Sequence, residues 1–314
     1  MDDNHTIEER LLEKGVSRRD FIKYCGFITA TLGLSATWLP RMAEAILTQK
    51  RPSVVWLHFA ECTGCTESFI RSSYPWFREI ILDTISLDYH ETVMAAAGHQ
   101  AEAVLQETIK KNKGKFMAIV EGAIPTKDNG IYGRIGGKPF LEIGREVLVD
   151  AKPIAVICVG SCASFGGVQA AAPNPTEAKS VGEALGIQTI NLAGCPPNAI
   201  NMVATVLHYL LLGKLPALDD FGRPIFAYRE TVHDQCPRRK HYEKDEFVRE
   251  FGDEGAMRGW CLRQVGCRGP DTYNNCPTVK WNDGTSWPVE AGHPCIGCSQ
   301  PDFWDDMSPF YKSI

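Results

Sequence analysis

Beyond residue 50 the chain has no run of about 20 apolar residues, the length a membrane-spanning helix requires, and nothing at its C-terminus reads as an anchor. It also lacks long Lys/Arg runs. With 33 basic against 38 acidic side chains the 314 residues carry a net charge of −5, so the electrostatic footprint of a nucleic-acid-binding protein is missing. No internal repeat and no low-complexity tract is present. From Gly222 to Ile314 there is no sustained apolar period either, and such a segment buries too little surface to fold without cross-links. What the chain does have is cysteine. Twelve in 314 residues is high for a cytosolic enzyme, yet too dilute for a small disulfide scaffold.

The first 45 residues read as an address. Ser17-Arg18-Arg19-Asp20-Phe21-Ile22-Lys23 precedes a mildly apolar stretch, Phe27 to Leu39, and then Ala43-Glu44-Ala45. A basic region, a modest apolar region and an Ala-x-Ala site make a signal peptide, and the paired arginines mark the twin-arginine route to the periplasm. Cleavage is expected after Ala45. That route carries folded proteins, so thiols committed to metal in the cytoplasm need not become disulfides outside.

From residue 53 short β-rich runs alternate with helical ones. Ser53–Phe59, Phe116–Glu121, Ile154–Gly160 and Thr189–Leu192 read as strands, apolar enough for a sheet covered on both faces. Helices are expected at Ser68–Trp76, Met94–Lys111, Phe140–Val149 and Asn198–Leu212. The alternation predicts an α/β fold with a doubly wound parallel sheet over residues 46–222. Residues 223–314 form a second, mostly irregular domain, with one short helix expected around Lys244–Phe251.

Four cysteines fall at strand ends. Cys62 and Cys65 follow the first strand in Glu-Cys-Thr-Gly-Cys-Thr-Glu, Cys162 follows the third and Cys195 the fourth. Ligands of open α/β sheets bind beyond the carboxyl ends of the strands, so three distant segments deliver four thiols to one place. Four thiolates suit zinc or an iron–sulfur cluster. Zinc usually takes two tight pairs, whereas one pair plus two isolated cysteines on sheet loops resembles a cluster cradle. Backbone N–H groups of Gly64, Gly160, Gly166 and Gly194 are candidate donors to its sulfurs. A redox disulfide between Cys62 and Cys65 is the competing reading; it leaves Cys162 and Cys195 without a role.

The C-terminal region adds His233, Cys236, Cys261, Cys267, Cys276, Cys295 and Cys298. With the first four cysteines these make eleven candidate ligands, which divide naturally as four, four and three. One His with three Cys suits a four-iron cluster at a polar surface, and the last three cysteines suit a three-iron cluster lacking one corner. Cys25, inside the leader, and Cys158, within a strand, are left over and read as inert.

Glu-Cys-Thr-Gly-Cys-Thr-Glu, Asp88-Tyr-His-Glu91, Gly160-Ser-Cys-Ala163, Asn191-Leu-Ala-Gly-Cys-Pro-Pro-Asn198, Gly269-Pro-Asp-Thr-Tyr-Asn-Asn-Cys-Pro277 and Trp287-Pro-Val-Glu-Ala-Gly-His-Pro-Cys-Ile-Gly-Cys298 together resemble the small subunit of NiFe hydrogenases. The resemblance runs over essentially the whole chain and looks closest to the soluble periplasmic enzymes of sulfate reducers. It implies a flavodoxin-like domain, an irregular cluster-binding domain and a large subunit holding the nickel–iron site. It further implies a proximal 4Fe-4S cluster on Cys62, Cys65, Cys162 and Cys195, a distal 4Fe-4S cluster on His233, Cys236, Cys261 and Cys267, and a medial 3Fe-4S cluster on Cys276, Cys295 and Cys298. Gly64 and Gly167 stand where oxygen-tolerant relatives add cysteines, and Pro288 where a four-iron medial cluster has its fourth. A standard, oxygen-sensitive enzyme is therefore expected.

The implied function is electron relay from hydrogen oxidation to a periplasmic c-type cytochrome. Arg238, Arg239 and Lys240, or the acidic Asp302, Asp305 and Asp306, are candidates near the distal cluster for steering that partner, a solvated charged loop being the favoured reading of any one of them. Glu61 is placed near a proton exit, a plain strand-end carboxylate being the simpler account. A large apolar face for the catalytic subunit must exist, although sequence does not locate it. Two other classes compete: a flavin-binding flavodoxin-like protein, which wants a phosphate loop where this chain has cysteines, and a secreted disulfide-linked binding protein without iron.

Overall fold

The computed structural model describes residues 17–48, 51–71, 85–282 and 284–313. Five parallel strands form the central sheet: β1 (Ser53–His58), β2 (Ser86–His90), β3 (Phe116–Glu121), β4 (Ala155–Val159) and β5 (Ile190–Leu192). Their spatial order is β2-β1-β3-β4-β5, the flavodoxin-like order, whose winding reverses between β1 and β3. Ser53 pairs with Phe116 and His58 with Glu121, so the ends of β1 and β3 are level at that reversal.

Both faces of the sheet are covered, as its apolar strands require. On one face Val55, Leu57, Ala118, Val120 and Val156 pack with Leu105, Ile109 and Val147. On the other, Val54, Trp56, Met117, Ile119 and Ile157 pack with Met202, Val203 and Leu207. The principal helices are α1 (Arg18–Thr31), α2 (Leu39–Thr48), α3 (Gly64–Ile70), α4 (His99–Lys111), α5 (Phe140–Gly144), α6 (Ser161–Phe165) and α7 (Ala199–Leu212).

The four expected strands are present. β2 escaped the sequence reading because Ser-Leu-Asp-Tyr-His is a half-polar edge strand with an irregular register against Val54 and Val55. The helix expected over Ser68–Trp76 begins earlier, at Gly64, and residues 72–76 of that expectation lie outside the described residues. α5 passes into a π-helical turn over Arg145–Asp150. Asn198 caps α7, its side chain accepting from the Ile200 N–H at 2.9 Å.

One expected helix is absent: Lys244–Phe251 is not helical. Val248 N–H donates to Cys261 O and Cys261 N–H to Glu246 O, so the segment runs extended alongside Cys261. The Asp253 carboxylate accepts from Arg249 and Glu250 N–H on one side and Ala256 N–H on the other. It thereby starts the short helix Glu254–Met257 where the sequence pattern placed a helix end.

After α7 the chain forms short helical turns around a small core of Val232, Val248, Leu262, Val265, Cys276, Trp287 and Val289, against which Cys236, Cys267 and Cys295 pack. This region is stitched to the sheet domain by polar contacts. Asn201 and Asn275 exchange amide hydrogen bonds of 2.9 and 3.0 Å, and Ser161 Oγ bonds to Cys298 O. Buried Arg223 donates to Asp219 at 2.8 Å and to Ser299 O at 3.0 Å.

Candidate metal centres and family

The first set of thiols forms where the sheet order reverses. After β1 the chain bridges from Ala60 to Ala123 beyond β3, passes through Thr63 in left-handed conformation (φ 63°) and enters α3. Glu121, the last residue of β3 and 1% exposed, accepts from Cys65 N–H at 2.9 Å, Thr66 N–H at 3.1 Å and the Thr66 hydroxyl at 2.7 Å. It clamps the Cys-x-x-Cys loop to the sheet. Burial pushes the Cys65 thiol well up, and then Glu121, Cys162, Cys195 and Cys62 push it further. The four thiols predicted to converge do so.

Glycine permits the convergence. Gly160 has φ 92°, and a Cβ there would stand 2.5 Å from Cys65 Sγ; Gly167 has φ 68°, and a Cβ there would stand 2.6 Å from Cys162 Sγ. The expectation that glycine amides serve the sulfurs does not hold for three of the four. Gly160 N–H donates to Leu192 O and Gly166 N–H to Cys162 O, while Gly194 N–H goes to Ser161 Oγ. These amides terminate the strands and close α6, leaving none to spare.

A second set lines one cavity: His233, Cys236, Cys261 and Cys267, with Arg238, Arg239 and Gly269. Burial raises Cys267, and the Arg263 and Arg238 guanidinium groups act against that rise. Burial, then Arg239, holds His233 below the usual imidazole range. Tyr242 meets its ring edge-on at 4.8 Å. The third set is Cys276, Cys295 and Cys298: burial, then Cys298 and Cys295, pushes Cys276 well up.

The third set adjoins both of the others: Ser161, next to Cys162, bonds to Cys298 O, and Arg268 N–H, next to Cys267, donates to Cys295 O at 2.7 Å. Besides its burial, Cys298 meets the Cys195 backbone and thiol, and Cys295 meets Cys267 before Cys298. All twelve cysteines are free thiols. Buried thiols that raise one another's pKa hold protons unless a cation compensates the thiolates, and the iron of a cluster does that. The donor sets, the glycine clearance and the two nearby guanidinium groups fit iron–sulfur clusters. Cys158 is fully buried in β4, its thiol pushed up to about 12 by burial, as expected of an inert core residue; Cys25 is equally buried in α1.

Two residues that sequence reasoning missed, His58 and Glu121, join Glu61, His90 and Glu91 beside the first set. His58 Nδ1 is 3.3 Å from Glu61 Oε1 and 3.8 Å from Glu121 Oε2, the His58 and His90 rings are 4.7 Å apart, and Glu91 accepts from His58 N–H at 3.2 Å. Burial pushes His90 down to about 3 and Glu91 up to about 7. The signal was present, since a titratable residue ends each of two otherwise apolar strands, Ser-Val-Val-Trp-Leu-His and Phe-Met-Ala-Ile-Val-Glu.

The candidate steering groups separate. Asp305 accepts from Ala172 N–H at 3.0 Å, and its helix packs on Gly167–Ala170. Asp302, Asp305 and Asp306 therefore sit beside the Cys162 segment and not at the His233 set, contrary to expectation. Arg239 lines the His233 cavity and is paired with Asp234 and Glu243. Among the described residues no helix is long and apolar enough to cross a membrane.

Comparison with known proteins gives the family. The C-terminal family of the NiFe/NiFeSe hydrogenase small subunit matches residues 228–311, and the family of the NADH ubiquinone oxidoreductase 20 Kd subunit matches residues 62–209. The chain is 55% identical to the periplasmic [NiFe] hydrogenase small subunit 1 of Nitratidesulfovibrio vulgaris, over 98% of this chain and 96% of that one. It is 53% identical to the periplasmic [NiFe] hydrogenase small subunit of Solidesulfovibrio fructosivorans, over 97% and 96%. A solved chain of the NiFeSe hydrogenase from Desulfomicrobium baculatum superposes with a TM-score of 0.78 at 37% identity, covering 85% of this chain and all of that one. The chain belongs to the NiFe hydrogenase small-subunit family: it is the iron–sulfur electron-transfer subunit of a hydrogenase, paired with a large subunit.

Proposed function

We propose that this protein relays electrons from hydrogen oxidation at the large subunit through three clusters to a c-type cytochrome. The observation that carries the reading is that the third thiol set adjoins both of the others, through Ser161 to Cys298 O and through Arg268 N–H to Cys295 O at 2.7 Å. The proximal 4Fe-4S cluster is assigned to Cys62, Cys65, Cys162 and Cys195, the medial 3Fe-4S cluster to Cys276, Cys295 and Cys298, and the distal 4Fe-4S cluster to His233, Cys236, Cys261 and Cys267. Bound there, such clusters supply one-electron redox chemistry.

The protein's part is placement and electrostatics. Glu121 fixes the Cys65 loop through three hydrogen bonds. Arg263 donates to Cys267 O at 2.8 Å and brings positive charge to the distal set. Neutral His233 in place of a thiolate lowers the negative charge where electrons leave. At that exit Lys240 is exposed beside Arg239, and a charged cytochrome surface would make turnover salt-sensitive.

Export by the twin-arginine route, with cleavage after Ala45, completes the reading. Two relatives are named periplasmic. The D. baculatum chain is wholly covered by 85% of this one, a shortfall about the size of the leader. Residues 46–222 and 223–314 are the two domains of the mature subunit.

The test is iron analysis of the purified heterodimer with electron paramagnetic resonance of the oxidised protein, wild type against Pro288→Cys. About eleven irons in this subunit, and a 3Fe-4S signal that the substitution removes, are expected. Zinc, or cysteines closed into disulfides without iron, would refute the relay.

A further inference from the structure

Helix α7 has no Asp, Glu, Lys or Arg between Ala199 and Leu212, and a helix apolar on every side needs cover on its outer face as well as on the sheet. The sheet takes Met202, Val203 and Leu207. Cover on the outside comes from the N-terminus: α1 and α2 both pack on α7 and bring Phe21, Tyr24, Cys25, Ile28, Leu32 and Met42, none more than 8% exposed, into the same core. No residue of α7 is left exposed.

α1 and α2 are the leader, a role that rests on the proposed export route. Docked in this way, the leader cannot serve export. Ile28 and Leu32, from its apolar stretch, are buried, while Arg19 remains exposed. The bond after Ala45 lies inside α2 with Ala45 5% exposed, whereas proteolytic sites are exposed and irregular. Once the leader is removed, Ile200, which lines a cavity with Tyr24 and Phe27, is bared beside the partly buried Tyr209, Leu210 and Leu211 of the same core, an apolar patch that a soluble surface does not leave bare. This face continues from the proximal set: Asn198 caps α7 three residues beyond Cys195, which is exposed, as is Cys62.

We propose that the leader is a place-holder for the large subunit on the outer face of α7. Docking of the large subunit on that face expels α1 and α2, and only then are the apolar stretch and the Ala45–Ile46 bond open to the export machinery. Assembly and export are thereby coupled, and a lone small subunit keeps its own leader folded away.

Hydrogen–deuterium exchange on the uncleaved precursor, alone and bound to the large subunit, tests this. Amides of Arg18–Thr31 should exchange slowly in the lone precursor and at least about tenfold faster in the complex, with Ala199–Leu212 slow in both. Leader amides equally slow in the complex, or fast in both states, would overturn the proposal. An export assay gives an independent reading without purification. Ile28→Ala loosens α1 and keeps the stretch apolar, so it should raise periplasmic small subunit in cells lacking the large subunit and leave export of the heterodimer unchanged. Retention equal to wild type counts against masking. Arg18→Lys with Arg19→Lys should stop export of every version; export that survives it refutes the leader reading itself, whatever the exchange data show.

Discussion

The sheet domain holds four of the proposed cluster ligands and the C-terminal region seven, and the two are built on opposite plans. In the first, five parallel strands buried on both faces position Cys62, Cys65, Cys162 and Cys195 from outside, at the ends of elements that stand without them. In the second, Cys276 belongs to the small core, and Cys236, Cys267 and Cys295 pack against it. On the proposed ligand assignment, the first region supports its metal site and the second depends on its metal sites for support, because short helical turns and a few apolar side chains do not offset the chain entropy of about 90 residues.

Removing iron should show this most strongly. Anaerobic chelation of the subunit is expected to abolish amide protection over residues 223–313 while β1, β3 and β4 keep theirs, since binding free energy of roughly 10 kcal/mol or more per structural metal site is folding free energy in such domains. Uniform loss of protection in both regions would erase the distinction. The converse probe is Ile157→Ala, at a fully buried position of β4. It should cost the sheet domain about 2–5 kcal/mol, read as a lower midpoint of its own denaturation, with the distal cluster's paramagnetic signal unchanged.

The two plans also explain what was legible in the sequence. The sheet domain follows period and punctuation, so its four apolar strands and the capped α7 could be read directly, and its thiols followed from the strand-end rule. The C-terminal region follows no period. Its candidate ligands stand out as residue types and spacings, but the expected helix at Lys244–Phe251 failed because the segment's partner is Cys261, and a pairing of that kind leaves no local pattern. The steering aspartates failed for the same reason: the contact of Asp305 with Ala172 spans 133 residues. Glu121 and His58 were overlooked because their strands were read for apolar content alone.

A buried carboxyl gives the sheet domain a pH dependence of its own. Burial raises Glu91 from 4.5 to about 7, so the native state retains a proton that the unfolded chain has released between those values. Stability from this group is complete below about pH 4.5 and is lost as pH rises through about 7. Glu91→Gln should therefore flatten the stability curve of the sheet domain over that window. The difference at pH 8 should be at most about 3 kcal/mol, less whatever the partly exposed carboxylate recovers from solvent. A variant that keeps the wild-type slope would assign the pH dependence to other groups.

The seam between the regions should show the smallest effect. Asn201 on α7 and Asn275 beside Cys276 are buried and satisfy each other's amides. Truncating one strands the other, at a cost of about 1–3 kcal/mol. Asn201→Ala should therefore lower stability by that amount, whereas Asn201→Leu with Asn275→Leu, which leaves no amide unpaired, should recover most of it. The location of the loss tells the regions apart. Asn275 lies next to Cys276, a proposed medial ligand, while Asn201 sits on a helix already anchored to the sheet. The single variant should thus broaden the 3Fe-4S signal and raise exchange over Cys276–Val279, leaving β1 to β5 unchanged. Equal loosening on both sides of the seam would mean that the sheet leans on the irregular region as much as the irregular region leans on the sheet.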